Sequence, residues 1–155
     1  MLNDNDVVDI LLVEDDPSDA KLTIRSLKMG NLANELFLVK DGEEALDFLF
    51  CRNAYAGRSK SLRPRVVLLD IKLPKVDGIE VLRQIREDPN MSSLPVVLLT
   101  SSQQDSDIMA GYKYHANSYV VKPVNFKDFS EHVRDLGLYW LLINTRPMAP
   151  AEVPV

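Results

Sequence analysis

Val66-Val67-Leu68-Leu69-Asp70 is an unbroken apolar run that ends on an acid, and Ile71-Lys72-Leu73-Pro74-Lys75-Val76-Asp77-Gly78 follows it. Four consecutive valines and leucines leave no polar face. That is expected of a strand covered on both sides in a parallel sheet, not of a half-exposed one. Working outward, the same pattern recurs at Ile10-Leu11-Leu12-Val13, Leu36-Phe37-Leu38-Val39 and Val96-Val97-Leu98-Leu99, with a weaker version at Tyr119-Val120-Val121. The segments between these runs have helical spacing. From Pro17 to Met29, Ala20, Ile24 and Leu27 share a face, and Pro17 suits the first helical position. Asp41 can cap a helix carrying Ala45, Leu46, Leu49 and Phe50. Gly78 opens another with Ile79, Leu82 and Ile85, closed before Pro89. A shorter helix with Ile108 and Met109 is expected over residues 105–114, and a last one over about 125–144. Five strands alternating with five helices predict an α/β fold, a doubly wound five-stranded parallel sheet.

The chain has 155 residues, 46% of them apolar and 26% charged, which suits one domain able to bury roughly two-thirds of its unfolded surface. Such an apolar fraction excludes disorder. A lone cysteine, Cys51, excludes a disulfide framework or a cysteine zinc site. With no long apolar run and an acidic start, neither a membrane span nor a secretory signal is expected, which leaves the cytoplasm. Residues 1–8 read as an extension, 9–144 as the domain, and 145–155 as a flexible proline-containing tail. The net charge of −5 is unevenly spread: seven of the 23 acids, and none of the 18 lysines and arginines, fall in residues 1–20. Either these acids form a solvated head or some of them have a chemical task.

Ligand sites in open parallel sheets form beyond the carboxyl ends of the strands. There the runs exit into Glu14-Asp15-Asp16, Asp70, Thr100-Ser101 and Lys122-Pro123. Taken singly, each has an ordinary explanation: acids at strand ends cap helices, Lys-Pro makes a turn, and a threonine after a strand is structural. Their coincidence on four strand ends points to chemistry. Neighbouring strands lie about 4.8 Å apart, so Glu14, Asp15 and Asp70 would repel one another unless protonated or bound to metal. All-oxygen ligation suits Mg²⁺ with room left for phosphate oxygens. Lys122 and Thr100 add a cation and a hydroxyl suited to phosphoryl oxygens. The set amounts to a phosphoryl-transfer site in which one carboxylate is the nucleophile.

At these residues the sequence resembles the receiver family of two-component response regulators. The likeness lies in Leu12-Val13-Glu14-Asp15-Asp16, Leu69-Asp70 through Asp77-Gly78, Leu98-Leu99-Thr100-Ser101 and Tyr119-Val120-Val121-Lys122-Pro123, and it covers about residues 7–143. The resemblance implies the flavodoxin-like receiver fold and phosphorylation of Asp70 by a phosphohistidine on a sensor histidine kinase. It implies Mg²⁺ bound by Asp15, Asp70 and the backbone carbonyl of Lys72, with Glu14 orienting a metal-bound water. Thr100 and Lys122 would hold the phosphoryl group, Tyr119 would be the aromatic switch, and the Lys122–Pro123 bond would be cis. A switch rather than a turnover enzyme is expected. Phosphatases with an aspartyl nucleophile carry a second aspartate two positions later, where this chain has Lys72. A flavin-binding module fits less well, because Asp15-Asp16-Pro17-Ser18-Asp19 is too acidic to cradle a flavin phosphate.

The output is expected to be a protein–protein contact. About eleven residues follow the last helix, with no helix-turn-helix candidate and no basic stripe, so nucleic-acid binding is not expected. The last helix carries Phe126, Phe129, Val133, Leu136, Trp140 and Ile143 on one face. Leu138, Tyr139, Leu141 and Leu142 make its end apolar nearly all round, which suggests a homodimer through residues 138–142; the alternative is an apolar end folded back on its own domain. Residues 51–65 hold Arg52, Arg58, Lys60, Arg63 and Arg65 with no acid, and read as a solvated loop or a docking surface for an acidic partner. His115 and His132 read as surface groups. This loop and the run from Leu138 to Pro147 resemble the small stand-alone regulators of cyanobacterial phytochrome kinases, which implies a light-sensing kinase partner. A chemotaxis-type receiver and a constitutive dimer with little phosphorylation dependence remain the alternatives.

Overall fold

The computed structural model describes residues 8–29, 35–60, 62–101 and 110–135. Five parallel strands, β1 (Ile10–Val13), β2 (Leu36–Val39), β3 (Val66–Asp70), β4 (Val96–Thr100) and β5 (Ser118–Val121), form one sheet in the order β2-β1-β3-β4-β5. The helices are α1 (Pro17–Met29), α2 (Gly42–Phe50), α3 (Gly78–Glu87), α4 (helical over residues 110–113) and α5 (Phe126–Asp135). The expected bounds of α1 hold to the residue, and α3 opens at Gly78 and ends before Pro89 as expected. β3 and β4 each run one residue past their apolar stretch, so Asp70 and Thr100 are strand residues.

Alternation along the strands divides the core in two. Leu11, Val13, Val67, Leu69, Val96 and Leu98 face Ala45, Phe48 and Leu49 of α2 and Val81, Leu82 and Ile85 of α3. Ile10, Leu12, Val66, Leu68, Val97 and Leu99 face Leu27 of α1 and Phe129 of α5. Each fully buried side chain of this kind contributes about 1.5–3 kcal/mol, so both faces must be covered for the runs to be stable. β3 and β4 are buried throughout, whereas β2 and β5 are half-buried because they are the sheet edges. Among the described residues no helix is long and apolar enough to cross a membrane.

The basic segment 51–65 is not a free basic surface. Asn53–Tyr55 forms a 3₁₀ turn after Cys51, which ends α2 in the left-handed region at φ 55°. Arg58 is buried, its guanidinium 3.6 Å above the centre of the Phe48 ring. It donates to the Phe48 carbonyl and, at 3.0 Å, to the Leu62 carbonyl. Arg65 pairs with the buried Asp9 at 3.5 Å, and Arg63 donates to the Asn90 carbonyl at 2.5 Å. Three of the five basic side chains therefore fasten the loop to the domain. His132 also differs from expectation, since its Nδ1 lies 2.8 Å from the Ser118 hydroxyl on the neighbouring β5. Val133 keeps its place in α5, while residues 105–109 of the shorter helix, the expected interface Leu138, Tyr139, Trp140, Leu141 and Leu142, and the tail 145–155 lie outside the described residues.

Candidate metal centre and its lysine

Strand order and register bring the acids together. Val13 pairs with Leu69, so Glu14 and Asp70 leave adjacent strands side by side. Asp70 pairs with Leu99 and Thr100 with Val121, which sets Thr100 and Lys122 at the next two ends. The Glu14 N–H donates to the Val39 carbonyl at 3.0 Å and the Lys122 N–H to the Thr100 carbonyl at 2.8 Å, fixing both backbones beyond their strands. Carboxylate oxygens of Glu14, Asp15 and Asp70 all lie within 4.8 Å of one another. Glu14 and Asp70 are buried and Asp15 is exposed, so the cluster opens to solvent on one side.

Lys122 Nζ donates to Glu14 Oε1 at 2.8 Å, Asp19 Oδ2 at 3.0 Å and Asp70 Oδ2 at 3.2 Å. Burial opposes the charged ammonium, but the hydrogen bonds to Glu14 and Asp19 and the charge of Asp70 outweigh it and hold the pKa above the usual lysine value. For Glu14, burial pushes the carboxyl up to about 7; the adjoining Asp70 adds to the rise, and Lys122 pulls against it. One ammonium thus contacts three carboxylates, with Asp15 beside two of them, and the excess of clustered negative charge fits a hard divalent cation with oxygen ligands and water.

The turn after β3 shapes the mouth. The Lys72 N–H donates to Asp70 Oδ1 at 3.3 Å, which sets the backbone of residue 72 beside the carboxylate. The Gly78 N–H donates to the Ile71 carbonyl at 2.8 Å, and a Cβ on Gly78 would stand 2.1 Å from the Asp70 carbonyl oxygen. Glycine is required here because the start of α3 runs against the end of β3. Asp77 caps α3, accepting from the Glu80 N–H at 3.0 Å. The Lys122–Pro123 bond is cis, as expected. Tyr119 is half-buried and packs edge-on to Tyr112, ring centres 5.8 Å apart at 75°. The two rings line a crevice with Leu98, Thr100, Gly111 and Ala116 that is too narrow for water.

The structure brings together Glu14, Asp15, Asp70, Thr100 and Lys122, with Tyr119 one layer away. In the sequence Asp19 stands out only as part of the acidic stretch after β1, and Gly78 only as the residue that opens α3. The available signal for Asp19 was its place in the first turn of α1, beneath the acidic strand end.

A model of the response regulator receiver domain matches residues 10–134. The chain belongs to the response-regulator receiver family. This receiver is 42% identical over 138 residues to the probable methanogenesis regulatory protein FilR2 of Methanothrix harundinacea, covering 89% of this chain and 86% of that one. It is 40% identical over 140 residues to the response regulator Rcp1 of Synechocystis, covering 90% and 93%. A solved structure of Rcp1 in its Mn²⁺-bound form superposes with a TM-score of 0.71 at 39% identity, covering 90% of this chain and 98% of that one. The bacteriophytochrome response regulator RtBRR superposes with a TM-score of 0.81 at 46% identity, covering 92% and 85%. A receiver with this acidic cluster is suited to a divalent metal ion.

Proposed function

We propose that Asp70 is the phosphoryl acceptor of a single-domain response regulator, and that its donor is the phosphohistidine of a phytochrome-type sensor kinase. The observation that carries this reading is the Lys122 ammonium within 3.2 Å of a buried Asp70 oxygen, inside a cluster of carboxylates that can hold a metal. An Asp70 carboxylate oxygen forms the new bond to phosphorus while the phosphorus–nitrogen bond of the phosphohistidine breaks. The imidazole nitrogen leaves with that electron pair.

Asp15, Asp70 and the Lys72 carbonyl would hold Mg²⁺, with Glu14 orienting a water of its shell. Bound there, the ion supplies charge neutralisation for the transferring phosphoryl oxygens. Lys122 pairs with the Asp70 carboxylate at 3.2 Å and offers a hydrogen bond to the phosphoryl group. Thr100 supplies a second donor from the adjoining strand end. As Thr100 moves toward phosphate, the Tyr119 ring turns inward along the crevice that both residues line. Lys72 stands where a hydrolase of this kind would keep a general acid, so phosphate is retained rather than turned over.

The phytochrome partner is supported by the likeness to RtBRR. A cytoplasmic location and association of two copies through residues 138–142 belong to the same reading, the latter supported by that segment's apolar sequence. Phosphotransfer from a phytochrome-type kinase and from a chemotaxis kinase, with the modified residue located by mass spectrometry, tests it. Transfer to Asp70 from the first is expected; transfer from the chemotaxis kinase alone would reverse the partner assignment.

A further inference from the structure

α1 starts with its terminus already capped. Asp16 Oδ1 accepts from the Ser18 and Asp19 N–H groups at 2.8 and 3.0 Å. Asp19, three residues after the cap, stands where an acid ordinarily reaches back to the cap's own N–H. Here that N–H lies 3.3 Å from Glu14 Oε2, to which it donates. The Asp19 carboxylate reaches instead across 103 residues of sequence to Lys122 Nζ, at 3.0 Å.

An ammonium group has three N–H donors, and Glu14, Asp19 and Asp70 take all three. A phosphoryl group forming on Asp70 needs one of them. The three acceptors are not equivalent: the side chain of Asp19 is 35% exposed, against 0% for Glu14 and 6% for Asp70. Water can replace the ammonium at Asp19 with little loss, whereas Glu14 would be left buried and unpaired, and Asp70, as an acyl phosphate, keeps its oxygens beside the lysine.

Taking Asp70 as the acceptor, as proposed above, we infer that Asp19 is a positioning residue that holds Lys122 in the unphosphorylated receiver and competes with the phosphoryl group for its ammonium. It opposes phosphorylation in two ways. It occupies a donor the phosphoryl oxygens require, and its negative charge stands beside the charge that arrives. Phosphorylation then exchanges one acceptor for another on Lys122, and leaves Asp19, at the start of α1, facing solvent.

Beryllofluoride, a tetrahedral phosphoryl mimic, is the probe, titrated into the full chain by fluorine NMR at saturating Mg²⁺. The proteins are wild type, Asp19→Asn, Asp19→Ser, Lys122→Gln and the Asp19→Asn/Lys122→Gln pair, with extent of phosphorylation by acetyl phosphate as a second readout. Asp19→Asn and Asp19→Ser should bind the mimic about fivefold more tightly than wild type, the worth of one half-exposed ion pair. That gain should vanish in the Lys122→Gln background if Asp19 acts through the lysine. The same gain with and without Lys122 would overturn the inference, because it would show a general field effect. Unchanged or weaker binding in both Asp19 variants would overturn it too. Failure of wild type to take up the mimic or phosphate would overturn the acceptor assignment and this inference together; wild-type uptake unaffected by Asp19 overturns this inference alone.

Discussion

Glu14 carries the titration near neutrality in this site. Its folded pKa of about 7 lies above the ordinary 4.5, so between those values the metal-free native state binds a proton that the unfolded chain has lost. Stability from this group is therefore present below pH 4.5 and falls as pH rises toward 7. Denaturant titrations with chelator should show a decline on the order of a few kcal/mol across that window, and Glu14→Gln should flatten it. Metal reverses the sign, because it must displace that proton and binds more tightly as pH rises through neutrality. Gly78 allows a second test at this scale. A methyl group there collides with the Asp70 carbonyl oxygen, and both atoms belong to backbone that the sheet and α3 hold in place. Gly78→Ala should cost roughly 2–4 kcal/mol in urea unfolding, with loss of metal binding as the start of α3 shifts.

At the scale of elements, strands and most helices were legible because their burial is written in local pattern. β1, β3 and β4 are apolar on both faces since helices cover both, and α1 and α3 announce their ends with Pro17, Gly78 and the turn before Pro89. What was not legible depends on contacts between distant segments. Arg58 reads as solvated in a basic loop, but α2 ends with no basic residue in its last turn, leaving carbonyls that attract a cation. Phe48 supplies the flat face on which the guanidinium lies. Asp19 is similar: its partner is fixed by strand order, which no local pattern encodes. Arg58→Ala should destabilise the domain by about 2–4 kcal/mol by chemical unfolding. Arg58→Lys should recover less than half of that, since an ammonium cannot fork to two carbonyls while stacking on a ring.

For the whole molecule, the uneven charge acquires a meaning. Of the seven acids in residues 1–20, Glu14, Asp15 and Asp19 meet at the metal and lysine cluster, Asp16 caps α1 and Asp9 pairs with Arg65. The cluster's repulsion is a cost to folding that a divalent ion relieves, so metal and native state are linked. Mg²⁺ at a hundredfold above its dissociation constant should raise the melting temperature by roughly 5–10 °C, and Asp15→Asn should remove most of the rise. Scanning calorimetry with and without chelator measures both.

The most direct test of the central claim is intact-mass spectrometry after incubation with acetyl phosphate, for wild type, Asp70→Asn and Asp15→Asn, with and without Mg²⁺. Wild type should gain one phosphoryl group only when Mg²⁺ is present, Asp15→Asn much less, and Asp70→Asn none. A phosphoryl gain in Asp70→Asn equal to that of wild type, or none in wild type with Mg²⁺, would contradict the assignment of Asp70 as acceptor.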